Sequence, residues 1–440
     1  MPKLPSLPKP PKLNDLPSSF PEEPPPGPFQ KEFWHSPLRG PWMTSFLGSA
    51  LLPLIVICAI TGFLSHVAYH PDLGSNSVTG TGGIGVDLYF FSFPTSPTWL
   101  YALTQGLHIA SGLSAIPILF AKLWSAMPKL FEWPPMRSLS HILDRLSLAL
   151  LVGGSLFVFF TGVLNIQLWY PWKFSFVPAH YYGAFIFLAA LGLHLVTKVP
   201  IALKAFREKG VFTPLKDDLA HTKAEPYAED STTPHSPKPA TMSRRGLIGM
   251  VGAGSLGLAI MAGGQIIGGP FRKLAFLAPR GKSISDGPNG FLINRTFEAA
   301  VIEETAVGDG WRLKLDGAQK MELTREQLLA MPQQTYSLPI ACVEGWSTTQ
   351  SWTGVPLRDL AELAGAPTDS ELLTTSLQTE GGFSQATLSG SQVSNEKALL
   401  ALKVNGEDLS FDHGFPARII SPATPGVHCT KWVSTMSFEV

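Results

Sequence analysis

Residues 42–67 read WMTSFLGSALLPLIVICAITGFLSHV, with no Asp, Glu, Lys or Arg. A bilayer core of ~30 Å needs about 20 helical residues, so this stretch is long enough to cross one. Residues 99–124, 146–168 and 181–205 repeat the pattern, each uncharged through its middle, and 246–269 is a weaker, glycine-rich fifth span. The composition of the 440-residue chain agrees: 45% is hydrophobic and 15% charged, against roughly 25% charged in a soluble protein. A purely soluble or disordered chain is excluded. With 33 basic and 33 acidic residues the chain is formally neutral, which argues against nucleic acid as a partner. Three cysteines rule out a disulfide-stapled scaffold.

The neutrality hides a division. Residues 1–284 carry 23 basic and 14 acidic side chains, and residues 285–440 carry 10 and 19, so the halves stand at +9 and −9. Positive charge on loops sets orientation. Lys3, Lys9, Lys12, Lys31 and Arg39 precede the first span, and residues 71–97 hold no Lys or Arg. Lys129, Arg137 and Arg145 lie in the second loop and only Lys173 in the third. Eight Lys or Arg lie between Lys204 and Arg245 in the fourth. The expected topology has the N-terminus inside and residues 285–440 outside. Residues 1–40, with twelve prolines, read as an extended cytoplasmic tail. Residues 41–206 read as a four-helix membrane domain, 207–243 as a cytoplasmic linker and 244–270 as an anchor helix. Ser243-Arg244-Arg245-Gly246 before that helix resembles a twin-arginine signal, which exports domains already folded around a cofactor. An ordinary basic flank is the alternative.

Histidines inside the spans are functional candidates, because an ionisable group in a bilayer is costly, and imidazole is a common axial ligand of haem. They are His66, His108, His180 and His194. At ~1.5 Å per residue, His108 and His194 both fall near mid-span and can face each other. His66 and His180 fall near the outer ends, as a second level. His70 could substitute for His66, and buried hydrogen-bonded or solvated histidines are the alternative for all four. Gly106, Gly112, Gly183 and Gly192 flank them, suiting either a flat macrocycle or helix packing. Gln105-Gly106-Leu107-His108 and His180-Tyr181-Tyr182-Gly183-Ala184 through His194 resemble the four-helix membrane cytochromes b. The resemblance implies haem b, one or two, and electron exchange with quinone.

Residues 285–440 have another character. Residues 291–296, 311–315 and 399–404 read as short strands, and 324–330 and 357–363 as helices, giving an α+β, β-rich domain. Cys342 and Cys429 both fall in this outer domain, where a disulfide is the default, and Cys58 reads as a small apolar filler. The local motifs point elsewhere. Pro339-Ile340-Ala341-Cys342-Val343-Glu344-Gly345-Trp346 is followed by Trp352-Thr353-Gly354-Val355-Pro356-Leu357, then His413-Gly414-Phe415-Pro416-Ala417-Arg418, then Gly426-Val427-His428-Cys429-Thr430-Lys431-Trp432. This ordered set resembles the molybdopterin-binding domain of the sulfite oxidase family. The resemblance implies that Cys342 ligates molybdenum as a thiolate and that Asn294, His413, Arg418 and Lys431 line the pterin. Glu344 and Trp346 lie close enough in sequence to face or support the metal. Arg418 and Lys431 as surface charges, His413 as a turn residue and Trp346 as core are the alternatives. No basic residue occurs between Gln333 and Leu338, which departs from what a sulfite-specific site needs.

The expected whole is an all-α transmembrane bundle of four helices plus an anchor, followed by the molybdopterin domain. It would be an oxygen-atom-transfer oxidoreductase of the bacterial plasma membrane, joined through haem b to quinone. Membrane lipid, quinone and a small-molecule substrate are the expected partners, and a homo-oligomer is left open. A haem electron-transfer or sensor protein with a non-catalytic outer domain is the alternative from another class. A third is a module that binds a ligand outside and signals through the helices.

Overall fold

The computed structural model describes residues 21, 23–76, 91–135, 139–228, 231–279, 286–379 and 383–440. Most of the proline-rich tail, the middle of the loop between the first two spans and Arg137 lie outside these residues. Among the described residues, five helices are long and apolar enough to cross a membrane: α1 (Pro41–Val67), α2 (Leu100–Leu130), α3 (Leu139–Ile166), α4 (Phe176–Lys209) and α5 (Arg244–Ile267). Helices α2, α3 and α4 outrun their expected spans, because the helix continues into the polar flanks once the backbone bonds are established. The chain divides into two compact units, Met1–Leu54 with Ser114–Val163 and Lys173–Leu256, and Ile55–Leu113 with Leu164–Trp172 and Gly257–Val440.

In the first unit the linker after α4 is structured. Glu225 is buried, accepts the Trp42 backbone N–H at 3.0 Å and pairs with Lys209 at 2.7 Å. The Trp42 indole donates to the Gly210 carbonyl at 2.9 Å. Arg244 donates to the Lys223 carbonyl at 2.6 Å and faces Asp217 at 3.6 Å. The linker thus satisfies a backbone donor at the N-terminus of α1 that the helix cannot satisfy itself and holds the first side chain of α5. Arg39 lies between the Trp34 and Trp124 rings, 4.7 and 4.5 Å from their centroids, an arrangement that favours a guanidinium.

In the second unit, a short α6 (Phe271–Leu274) leads to a domain of two five-stranded sheets. The first has order β2-β1-β10-β5-β6, from β1 (Leu313–Asp316), β2 (Lys320–Leu323), β5 (Leu372–Ser376), β6 (Gln385–Leu388) and β10 (Val433–Phe438). Only the β1–β10 pairing in it is parallel. The second runs β3-β4-β7-β8, from β3 (Gln334–Ala341), β4 (Ser347–Pro356), β7 (Leu399–Val404) and β8 (Glu407–Asp408), with β9 (Arg418–Ile420) also on β7. Helices α7 (Arg325–Ala330), α8 (Leu357–Leu363) and α9 (Gly390–Val393) complete the domain. A Thr324–Gln327 capping box starts α7, as that residue pattern favours.

Strand β7 explains the core. Its side chains alternate between faces, and both faces are covered. Leu400 and Leu402 join Leu313, Leu360 and Val433 in one cluster, while Leu399 and Ala401 join Leu338, Trp352 and Ile420 in the other. Full burial on two sides is why this stretch is apolar throughout.

Residues 291–296, expected as a strand, are not one. The next residue, Phe297, donates its backbone N–H to Asp412 at 2.7 Å, and Phe291 stacks on His413 at 3.7 Å. The alternation there reflects side-chain packing and not ladder pairing.

Removing the Glu225 carboxylate leaves a backbone donor and an ammonium without their acceptor. Glu225→Ala is expected to cost about 2 kcal/mol, read as a lower Tm of the detergent-solubilised chain. An unchanged Tm would show that the linker does not brace the helices.

Candidate active site

Strands β3 and β4 pair in continuous register from Gln334–Gly354 to Ala341–Ser347, and the loop between them carries Cys342. The loop is closed by two backbone bonds, Cys342 N–H to the Trp346 carbonyl at 2.9 Å and Gly345 N–H to the Cys342 carbonyl at 3.0 Å. Gly345 has φ +87°, and a Cβ there would come within 2.9 Å of Ile266 and 3.1 Å of Ile109. Glycine is required both by the backbone conformation and by the close approach of α5 and α2. Cys342 is buried against Leu292 and Trp346. Trp346 donates its indole N–H to Glu344 at 3.1 Å, so these two neighbours brace one another inside the loop. Cys342 and Cys429 are both thiols, not a disulfide, as the motif reading anticipated against the default.

The cationic residues gather on the segments 410–431. Arg418 is buried, donates to the His413 carbonyl at 3.0 Å and the Cys429 carbonyl at 3.3 Å, and lies 5.1 Å from the Trp352 ring. Burial lowers its pKa to about 10, which leaves it a cation. Lys431 is also buried and donates to the carbonyls of Arg295 and Asp412. His413 donates through Nε2 to the Asn289 carbonyl at 2.9 Å. Burial first, then the Arg418 and Lys431 charges, push its pKa down to about 3, so it stays neutral. The Asn294 carboxamide oxygen accepts the Arg295 N–H at 2.9 Å. Burial pushes the Cys429 thiol up, against the pull of Arg418.

Buried polar atoms without partners test whether a polar cofactor fits. Among the described residues they include Arg418 Nε, Arg295 Nε and both ring nitrogens of His428. Such orphans are costly unless a ligand or water meets them. A guanidinium, an ammonium and a second guanidinium linked through the Arg295 carbonyl suit the phosphate and oxygens of a pterin, in a domain whose net charge is −9. Arg295 and His428 were not among the residues the sequence singled out for this role. The signal for His428 was its place between Gly426 and Lys431 in the fourth motif.

In the helices, His108 donates through Nδ1 to the Cys58 carbonyl, 2.8 Å away, with the Cys58 Sγ at 3.5 Å. A Cβ at Gly62 would come within 2.6 Å of that nitrogen. Nδ1 is therefore committed to α1, and ligation by His108 would use Nε2, the arrangement that an orienting carbonyl gives metal-bound histidines. Cys58, read as a filler, is this ring's neighbour. His180 Nδ1 lies 3.1 Å from the Thr161 hydroxyl. His66 and His108 belong to one unit, His180 and His194 to the other. Gly106, Gly112 and Gly183 face Ile266, Cys58 and Phe157, whereas Gly192 meets nothing within 4 Å. Three of the four glycines thus serve side-chain packing.

Residues 300–439 match the family model described as the oxidoreductase molybdopterin binding domain. The chain is 33% identical to the "Uncharacterized oxidoreductase YuiH" of Bacillus subtilis (strain 168), over 29% of this chain and 65% of the relative. It is 34% identical to a sulfite oxidase of Arabidopsis thaliana, over 20% of this chain and 25% of that one. A third relative is a "Putative protein-methionine-sulfoxide reductase subunit YedZ1" of Azospira oryzae, 29% identical over 29% of this chain and 48% of the relative. The chain spans less than two thirds of each of these three. With the sheets and the Cys342 loop described above, the C-terminal part is a sulfite oxidase-like molybdopterin-binding oxidoreductase domain, in a chain that also carries five apolar helices.

Proposed function

We propose that the chain is a membrane-anchored molybdenum oxidoreductase in which substrate reacts outside the cytoplasm and electrons pass through haem b to or from quinone. The observation that carries this reading is the buried Cys342 thiol in a domain whose partnerless guanidinium nitrogens on Arg295 and Arg418 suit a bound phosphate. When bound, the molybdenum–pterin group supplies two-electron oxygen-atom transfer, and haem b one-electron carriage.

The chain's own residues do the rest. Cys342 offers one thiolate, which a pterin dithiolene can complement. Arg418 and Lys431 hold the pterin's oxygens and phosphate, with Arg295 beside them. Neutral His413, stacked on Phe291, and Asn294 wall the same segment. Glu344 and Trp346 keep the Cys342 loop in place. Trp346 excludes water from the thiol, since both are buried together. In the membrane, His108 and His194 are the proposed axial pair, with His66 and His180 as a second pair. The Cys58 carbonyl would orient the His108 ring. Loop charge supports a cytoplasmic N-terminus and an outer C-terminal domain in a bacterial plasma membrane, with Arg244-Arg245 as the export signal. The −9 charge of the outer domain and the lack of Lys or Arg in β3 favour a substrate other than sulfite.

Replacing Cys342 by Ser is expected to abolish substrate turnover and leave the haem absorption of the purified protein intact. Unchanged turnover would remove the catalytic assignment. His194→Ala is expected to lose most of the Soret absorbance while the outer domain still turns over with an artificial electron dye. A normal haem spectrum in that variant would refute the pairing with His108.

A further inference from the structure

The His428 ring is 1% exposed, yet neither of its nitrogens has a hydrogen-bond partner. A buried imidazole left so is expensive, and its backbone is anchored next to Cys342. The Gly426 N–H donates to the Ala341 carbonyl at 2.8 Å, one residue before Cys342, and the His428 N–H donates to the Pro425 carbonyl at 2.9 Å. The ring is therefore held beside the Cys342 loop.

What covers it comes from the membrane hairpin. Tyr69, two residues past α1, sets its ring edge-to-face on His428 with centroids 5.3 Å apart. Tyr101, in the first turn of α2, is 1% exposed and donates its hydroxyl to the Tyr69 hydroxyl at 3.3 Å. Tyr69 is the acceptor of that bond, so its own O–H remains to donate elsewhere. Burial keeps the Tyr69 phenol above its ordinary range, against the pull of the bond from Tyr101, so it stays protonated.

The tyrosines are fixed against the outer domain by bonds spread along the hairpin. Gln105 Nε2 donates to the Val343 carbonyl at 2.6 Å. The Ala423 N–H donates to the Thr98 carbonyl at 3.1 Å. Asn395 donates to Thr95 at 3.0 Å. Asn76 donates to the Thr387 carbonyl at 2.7 Å and accepts the Thr387 N–H at 2.9 Å.

We propose that Tyr69 and Tyr101 of the α1–α2 hairpin and His428 of the outer domain form a polar subsite beside Cys342 that holds the oxygen of a small, uncharged oxo compound. The inference rests on the reading that Cys342 carries the metal. The subsite offers the Tyr69 O–H, backed by the bond from Tyr101, and the single N–H of a neutral imidazole. Such donors match an oxygen that accepts hydrogen bonds without needing a counter-charge, and they would leave a doubly charged oxyanion uncompensated. The outer domain without its hairpin would lack half of this pocket.

Tyr69→Phe keeps the ring on His428 and removes only the hydroxyl. The full-length chain in detergent is assayed for molybdenum and haem content, for the Mo(V) electron paramagnetic resonance spectrum, and for reduction of dimethyl sulfoxide or trimethylamine N-oxide by a reduced viologen dye. The expected result is unchanged molybdenum and haem, a shifted Mo(V) spectrum, and a KM raised about tenfold with kcat little changed. Tyr101→Phe is expected to do the same more weakly. A Mo(V) spectrum and KM superimposable on wild type would overturn the subsite. A molybdenum-loaded wild type that reduces neither probe would overturn the ligand class. A wild type that binds no molybdenum would instead remove the reading on which the subsite rests, and metal analysis separates the two before any variant is made.

Discussion

The hydrogen bond from Gln105 to the Val343 carbonyl, 2.6 Å long, joins the loop that carries Cys342 to the helix that carries His108. On one side the β3–β4 hairpin presents the thiol in a five-residue loop whose glycine is pressed against Ile109 and Ile266. On the other, His108 sits one helical turn further along α2, its Nδ1 held by Cys58. A side-chain amide in an apolar helix is worth its burial only if it is satisfied, and here its partner is the backbone next to the catalytic candidate. The consequence is a short, fixed connection between the two proposed redox sites. A soluble domain docking by diffusion would have to find that connection anew.

Charge is organised on the same principle. The C-terminal domain is acidic overall, but Arg418 and Lys431 are turned inward and held by backbone carbonyls of His413, Cys429, Arg295 and Asp412. Carbonyl partners fix these cations without neutralising them, as carboxylates would. Positive charge is thus kept for a ligand while the surface stays negative. His413, kept neutral by burial and by these same cations, adds shape without adding charge.

The membrane spans were legible because length and the lack of charge suffice to mark them. Strand β7 and helices α7 and α8 were legible because period and capping agree with burial. The β3–β4 hairpin, the element that presents Cys342, was recognised by motif and not as strands. Pro339 reads as a strand breaker, although it lies inside β3, where Tyr336, Leu338 and Ile340 alternate. Residues 291–296 misled in the opposite sense, alternating without a pairing partner. The roles of Tyr69, Tyr101, Gln105 and Arg295 were not legible, since each depends on a contact far away in the chain. Cys58 shows the same limit: its sequence context is purely apolar, and only the fold brings His108 against it.

The most direct test of the account is the molybdenum and iron content per chain of the detergent-purified protein, measured by elemental mass spectrometry after expression in a host that makes the pterin. The account predicts one molybdenum with one or two irons, the second iron corresponding to His66 and His180. Iron without molybdenum would contradict it and leave a haem protein with a non-catalytic outer domain.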